Sequence, residues 1–137
     1  MEIHPYVTFP GNAREALEFY AAALGGEIEA LMTIGEIPDA GPVSEGYKDK
    51  LAHGRVVFPG GTIMVSDTWE GMPHDGFSGF NIQTSWGSVE AARAAYDAMR
   101  EGGTVIMEFA PTFWAAGFGL ITDKFGVGWM FNCETEA

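Results

Sequence analysis

The chain has 137 residues, 47% of them hydrophobic and ten of them phenylalanine, which is enough apolar material for a folded core and argues against a disordered protein. Its formal net charge is −12, from 19 acidic and 7 basic side chains. Nucleic acid and anionic membrane surfaces are therefore disfavoured as partners, because both would be repelled by an acidic protein.

The first half of the chain predicts a strand, a helix and three further strands. Apolar and polar residues alternate from Ile3 to Phe9, which is typical of a half-buried strand, and Pro5 suits an edge position because it has no N–H to donate. Asn12 is placed to cap the helix that follows, which runs to about Leu24. Further strands are predicted at 27–34, 51–58 and 62–67, with a loop rich in Pro and Gly at 35–50.

The second half repeats this order. Ser88 is placed to cap a helix that runs to about Glu101. The Gly-Gly pair after this helix begins at Gly102, 77 residues after the first pair begins at Gly25 (102 minus 25), which indicates an internal repeat. Strands are predicted at 79–85, 104–109, 116–122 and 127–133, the last two joined by a tight turn at 123–126. The sequence thus predicts an α+β fold of two βαβββ modules, at about 1–68 and 78–134.

Three segments, 5–27, 49–67 and 101–134, resemble the vicinal oxygen chelate superfamily, which contains glyoxalases, bleomycin-resistance proteins and extradiol dioxygenases. Within it they are similar to the PhnB-like branch, some of whose members carry a demethylubiquinone methyltransferase-like label. The resemblance implies a single glyoxalase-like domain over residues 1–137, with a curled mixed sheet around a cleft. It also implies a homodimer.

Metal-using members of this superfamily hold a divalent ion with four side chains that point into the cleft. The matching positions here are His4, Met64, Asn81 and Met130. One imidazole, one amide and two thioethers are a poor ligand set for Zn, Ni or Mn, and His4 is the only plausible ligand among them. We therefore predict no cofactor, with a bound divalent metal as the less favoured alternative.

Two histidines are the candidate catalytic residues, His4 and His53, which could form an acid–base set with Asp67 or Glu108. The predicted ligand-binding residues are mostly aromatic, thioether or amide side chains. They are Tyr6, Met64, Asn81, Gln83, Phe113, Trp114, Met130 and Asn132. The competing interpretation is that most of them pack a core, and alternation places Trp129 on the helix-covered side of its sheet.

The favoured function is binding of a small, partly apolar organic molecule in a cleft that lacks the usual metal ligands. The alternative is a metal-dependent lyase, isomerase or dioxygenase with an unusual ligand set that includes His4 and His53. A role only as a subunit of a larger assembly also stays open, and so does the question whether any ligand reacts. The single cysteine, the absence of a long apolar run and the lack of a leader-like start predict a cytoplasmic protein.

Overall fold

The computed structural model describes residues 1–39 and 41–134. The chain divides into two compact units, Met1–Asp75 and Gly76–Ala137. Each unit contains one four-stranded mixed sheet, and the predicted order β-α-β-β-β is found in both. None of the helices in the described residues is long and apolar enough to span a membrane.

The first unit places its first strand at the sheet edge, beside its last. Its elements are β1 (Tyr6–Phe9), α1 (Ala13–Leu24), β2 (Glu27–Thr33), β3 (Leu51–Phe58) and β4 (Gly61–Asp67). The strand order is β1-β4-β3-β2, with β1 parallel to β4 and the other pairs antiparallel. The predicted loop at 35–50 includes parts of two short 3₁₀ turns, Ile34–Glu36 and Glu45–Tyr47, while Ala40 lies outside the described residues.

The helix α1 packs on one face of this sheet through alanine, leucine and tyrosine side chains. A Cβ on Gly54 would lie 2.9 Å from Cδ2 of Leu17, so the helix comes close to β3 only because position 54 lacks a side chain. The ring of Phe9 lies 6.5 Å from that of Tyr20 between centroids, and both side chains are fully buried. The buried residues of β1, β3 and β4 form the core beneath this helix.

The start of α1 is held by Asp67 and not by the predicted cap. Asn12 occupies the capping position but makes no side-chain capping hydrogen bond, so that prediction is wrong in its chemistry. Instead, Oδ1 of the buried Asp67 accepts hydrogen bonds from the backbone N–H groups of Gly11 and Ala13, at 3.0 and 2.9 Å. Its Oδ2 accepts a third from Leu51 N at 2.8 Å. A carboxylate at the end of β4 thus replaces the local cap and also complements the helix dipole.

The second unit repeats the topology of the first. Its elements are β5 (Ile82–Ser85), α2 (Val89–Met99), β6 (Thr104–Ala110), β7 (Gly117–Thr122) and β8 (Gly128–Cys133). The strand order is β5-β8-β7-β6, with β5 parallel to β8. Ser88 caps α2 as predicted, because its Oγ accepts a hydrogen bond from Ala91 N at 3.1 Å.

The core of the second unit is centred on Tyr96 of α2. Its ring contacts those of Phe109 and Phe131 at centroid distances of 5.6 and 6.0 Å. A Cβ on Gly119 would lie 2.7 Å from the Tyr96 ring, so this glycine lets the ring rest on the sheet backbone. Trp129 is fully buried, and it alternates along β8 with residues that face away from α2. It therefore lies on the helix-covered side of its sheet, as predicted.

Two predicted strands begin later than expected, and both differences affect candidate site residues. The first strand starts at Tyr6, so His4 precedes it, because Pro5 has no N–H to extend the ladder. The fifth strand starts at Ile82, so Asn81 precedes it, after a left-handed Gly79 with φ of 78°.

Candidate functional site

The face of the first sheet that points away from α1 carries most of the polar chemistry of that unit. Val7, Gly54 and Val65 are buried on the helix side, so the residues that alternate with them project from the opposite face. We call this surface the first far face. It consists of Tyr6, Thr8, His53, Arg55, Met64 and Ser66.

Met64 lies at the middle of the first far face. It pairs directly with Tyr6 on β1 and with Arg55 on β3. The hydroxyl of Tyr6 lies 3.2 Å from Nδ1 of His53, and the two rings are 5.8 Å apart between centroids. A thioether is therefore bordered by a phenol, an imidazole and a guanidinium, all able to donate hydrogen bonds.

His4 lies just before the first strand, and its match to a ligand position of the superfamily stays a prediction. The residue directly across from Met64 is Tyr6, while His4 lies two residues earlier, with its Nε2 3.7 Å from Oε1 of Glu2. The structure therefore brings Tyr6, not His4, to His53.

The predicted acid–base partners of these histidines have other roles. Asp67 is buried on the helix side of its sheet, with its carboxylate occupied by three backbone N–H groups. Glu108 accepts a hydrogen bond from the Tyr96 hydroxyl at 3.2 Å and lies 3.9 Å from the guanidinium of Arg100. Burial and the negative Glu108 raise the pKa of Tyr96. The proposed use of Asp67 as an acid or base is therefore wrong, and Glu108 is committed within its own unit.

The second sheet also has a face that points away from its helix, and it is much less polar. Trp129 and Phe131 are buried on the helix side, so their neighbours along β8 project from the other face. We call this surface the second far face. It consists of Gln83, Ser85, Phe118, Leu120, Met130 and Asn132.

Asn132 is the unusual residue of the second far face. It is only 6% exposed, and its Oδ1 has no hydrogen-bond partner among the residues that the structure describes. Phe118 lies directly across from it on β7. The Trp114 ring contacts Phe118 edge-on, with 5.3 Å between centroids. The amide oxygen of Asn132 is therefore buried beside an aromatic pair, and its hydrogen-bonding capacity is unused.

Trp114 is positioned by a tight turn just before β7. The Oγ1 of Thr112 accepts hydrogen bonds from the backbone N–H groups of Trp114 and Ala115, at 3.3 and 3.1 Å. Phe113 projects outward, 97% exposed, with its ring 4.9 Å from that of Trp114 between centroids. Of these two predicted aromatic residues, Trp114 is the one that reaches the second far face.

Asn81 and Met130, the two predicted ligand positions of the second unit, do not pair with each other in the sheet. Gln83 is the residue across from Met130, whereas Asn81 lies over Gly128. A Cβ on Gly128 would come within 2.2 Å of Asn81 Oδ1, so a glycine is needed there for the amide to pack.

The donor set does not fit the divalent metal of the superfamily. Among residues 1–39 and 41–134, no group of three or more His, Cys, Asp or Glu side chains is arranged to hold a metal ion. The positions that the resemblance assigns to ligands offer one imidazole, one amide and two thioethers, which suit a hard or borderline cation poorly.

Sequence reasoning missed Arg55 and Phe118. Alternation along β3 and β7 would have placed both on the far faces, but neither resembles a metal ligand or stands beside a recognised motif. The salt bridge of Arg55 to Glu29 has no such local signal, since it depends on an irregularity in the pairing of β2 with β3.

Known proteins resemble this chain over nearly its whole length. Protein YjdN of Escherichia coli (strain K12) is 35% identical over 142 residues, covering 96% of this chain and 95% of YjdN. The crystal structure of protein PA1353 from Pseudomonas aeruginosa is 42% identical, with a TM-score of 0.90 and 98% of each chain covered. The PhnB protein from Bacillus cereus shares the fold at 20% identity, with a TM-score of 0.78 and coverage of 97% and 99%.

These comparisons confirm the two-repeat α+β fold, which the PhnB protein shares. The family profile described as Glyoxalase/Bleomycin resistance protein/Dioxygenase superfamily matches residues 2–131. The chain therefore belongs to the glyoxalase/bleomycin resistance protein/dioxygenase superfamily.

Proposed function

We propose that this protein binds a small, partly apolar organic molecule, and that the second far face supplies a principal part of the binding surface. The observation that carries the proposal is the unpaired Oδ1 of the buried Asn132. A buried polar atom without a partner costs about 1–3 kcal/mol, which a ligand with an O–H or N–H group would recover. The amide therefore favours a ligand that donates a hydrogen bond.

The residues around Asn132 favour an aromatic ligand. Phe118 and Trp114 present an edge-to-face pair on which another ring can pack, and Trp114 is 46% exposed. Met130 and Leu120, paired across β8 and β7, add flexible and branched apolar surface. None of the six residues that define the second far face is charged. An uncharged aromatic compound with one hydrogen-bond donor fits this chemistry.

A pair of matched probes tests the role of Asn132. We expect 2-naphthol to bind about tenfold more tightly than 2-methoxynaphthalene in isothermal titration calorimetry, because only the first can donate to Oδ1. In Asn132→Leu the two probes should bind equally. Equal binding of both probes to the unaltered protein would contradict the proposal.

The aromatic contribution is tested with two tryptophans of similar exposure. Trp114→Ala should weaken 2-naphthol binding about tenfold, because the ring that packs on Phe118 is lost. Trp69→Ala is the matched control, since Trp69 is 56% exposed and lies outside both far faces. A similar loss in both variants would mean that the ligand does not bind beside Trp114.

The metal-dependent alternative makes a different prediction. A lyase, isomerase or dioxygenase that uses His4 and His53 would carry a stoichiometric transition metal after purification without chelators. Elemental analysis distinguishes the two functions, and one metal ion per chain would overturn the metal-free binding site.

The proposed assembly is a homodimer. The edge strands β2 and β6 support it, because they expose apolar side chains that a second copy could cover. These are Ile28, Leu31, Met32, Ile106 and Met107. Light scattering coupled to size-exclusion chromatography should give twice the chain mass of 14.8 kDa, and a single-chain mass would contradict this assembly.

A further inference from the structure

Arg55 is a cation on the far face of the first sheet in a protein whose net charge is −12. Its neighbours on either side along β3, Gly54 and Val56, are buried toward α1, so its side chain leaves the sheet on the opposite face. Its Nε is shielded from solvent and makes no hydrogen bond to the residues that the structure describes. A guanidinium held in this way has donors available for an anion.

Among the residues that the structure describes, Glu29 brings a carboxylate to Arg55 Nε, and the contact is weak. Oε1 of Glu29 lies 3.4 Å from Nε, longer than a good N–H···O hydrogen bond, and the Glu29 side chain is 59% exposed. Exposed ion pairs of this kind typically contribute about 0–1 kcal/mol. An incoming anion therefore loses little by displacing Glu29.

The position of Glu29 results from a bulge in β2. Ile28 pairs with Val56 and Ala30 pairs with Arg55, so Glu29 is the extra residue between two consecutive pairs. A β-bulge redirects a side chain locally. This bulge brings the carboxylate of Glu29 to Arg55, which belongs to the first far face.

Tyr6 and His53 add one further donor, because whichever side chain donates in their mutual hydrogen bond, the other keeps a free O–H or N–H group. The hydroxyl of Tyr6 and Nδ1 of His53 share a hydrogen bond of 3.2 Å, which fixes the phenol on the same side of the sheet as Arg55. Met64 lies between Tyr6 and Arg55 in the ladder and offers apolar surface for the body of a ligand. The first far face thus combines a cation, two polar rings and a thioether.

We propose that Arg55, with Tyr6 and His53, forms a subsite for the carboxylate or phosphate group of a small organic anion, and that the Glu29 carboxylate occupies this subsite until such a ligand binds. The subsite is built from the first unit alone and does not rest on the role of Asn132. An aromatic or aliphatic body attached to the anionic group packs on Met64. Displaced Glu29 is released to solvent, so the ligand competes with an internal carboxylate.

The experiment measures binding of benzoate, phenyl phosphate and neutral benzamide by calorimetry at one fixed ionic strength. We expect both anions to bind and benzamide to bind at least tenfold more weakly. A preference between benzoate and phenyl phosphate identifies which anionic group the subsite is built for. Arg55→Gln should weaken anion binding at least tenfold, because the bidentate donor is removed. Glu29→Gln should tighten it about threefold to tenfold, because the competing carboxylate is gone.

Arg14→Gln is the matched control, since it removes the same charge from α1, where Arg14 donates to the carbonyl of Asp49. It should leave anion binding within about twofold of the unaltered protein, because α1 lies on the other face of the sheet and Arg14 cannot contact an anion at Arg55. Equal losses in Arg55→Gln and Arg14→Gln would show a general charge effect and overturn the subsite. Equal binding of benzoate and benzamide, or weaker anion binding in Glu29→Gln, would also overturn the subsite. Glu29 is exposed on an edge strand, so this last variant remains informative if Arg55→Gln does not fold.

The Asn132→Leu variant separates this subsite from the proposed function. It should abolish the preference for 2-naphthol while leaving benzoate binding unchanged. Arg55→Gln should weaken benzoate binding while leaving the preference for 2-naphthol unchanged.

Discussion

The two units share a strand register but present different chemistry on their far faces. Met64 pairs with Tyr6 and Arg55 in the first unit, and Met130 pairs with Gln83 and Leu120 in the second. A thioether thus holds the same place in both sheets. Its surroundings are a phenol and a guanidinium in one unit, and an amide and an aliphatic side chain in the other. Ligand preference is therefore decided by a few outward residues and not by the topology that positions them.

The two units also differ in the segments that their buried aspartates join. Asp67 joins segments that are distant in sequence, because it accepts from the start of α1 and from Leu51. Asp123 works locally, since it accepts from Phe125 N, Val127 N and the indole N–H of Trp129. One carboxylate ties an entire unit together, while the other closes a single hairpin.

The largest expected effect comes from removing these carboxylates. Asp67→Ala and Asp123→Ala each leave three donors without their acceptor and should each lower the free energy of unfolding by about 3 kcal/mol or more. Hydrogen exchange should show where each loss falls. Increased exchange is expected across α1 and β3 for Asp67→Ala, and within the β7–β8 hairpin for Asp123→Ala. Asp67→Asn retains one acceptor oxygen and should cost less, so an equal loss would contradict the assigned role.

Alanine substitutions of the glycines that follow the two helices should lower the free energy of unfolding by different amounts. This difference is smaller than the effect of removing either carboxylate. A Cβ on Gly103 would lie 2.2 Å from the backbone oxygen of Thr122, which a strand pair cannot easily move. A Cβ on Gly26 would meet the ring of Phe58 at 2.5 Å and Cγ2 of Val56 at 2.9 Å, and side-chain atoms shift more readily than backbone atoms. Gly103→Ala should therefore destabilise by about 3 kcal/mol and Gly26→Ala by about 1 kcal/mol in urea unfolding. The opposite order would show that the β6–β7 edge adapts more readily than Phe58.

Asn132 is predicted to reduce stability in the absence of ligand. Its counterpart in the first unit is Ser66, since Ser66 pairs with Thr8 on β1 as Asn132 pairs with Ser85 on β5. Asn132→Leu removes a buried unpaired amide and should raise the free energy of unfolding by about 1 kcal/mol, measured without ligand. Ser66→Ala is the control and should change it by less than about 0.5 kcal/mol. A destabilised Asn132→Leu would indicate that the amide already has a favourable environment.

The smallest effect concerns alkaline stability of the second unit. The pKa of Tyr96 is raised by burial and by Glu108, so the folded state retains the phenolic proton to higher pH than the unfolded chain does. Its contribution is therefore complete below the ordinary tyrosine pKa of about 10 and is lost as the pH rises through the folded value. Tyr96→Phe should make the fall in stability above about pH 10 shallower, as followed by urea unfolding across that range. An unchanged slope would assign the alkaline loss to other groups.

Much of the frame could be predicted from the sequence because it depends on local patterns. Helical spacing, the Gly-Gly pairs and strand alternation were sufficient for the order of elements and for the hairpin turn at 123–126. Alternation was also sufficient to place Trp129 under α2. The resemblance to the superfamily rested on segments that span most of the chain, and the family match confirms it.

The details of the candidate site required the tertiary structure. Which residue lies across from Met64 depends on the register between strands that are nearly sixty residues apart, so its pairing with Tyr6 could not be predicted. The bulge that brings Glu29 to Arg55, the capping of α1 by Asp67, and the unpaired oxygen of Asn132 are also long-range results. The sequence by itself determined the two βαβββ repeats. Only the tertiary structure decided which side chains meet on each far face, because periodicity specifies the side of a strand but not its partner.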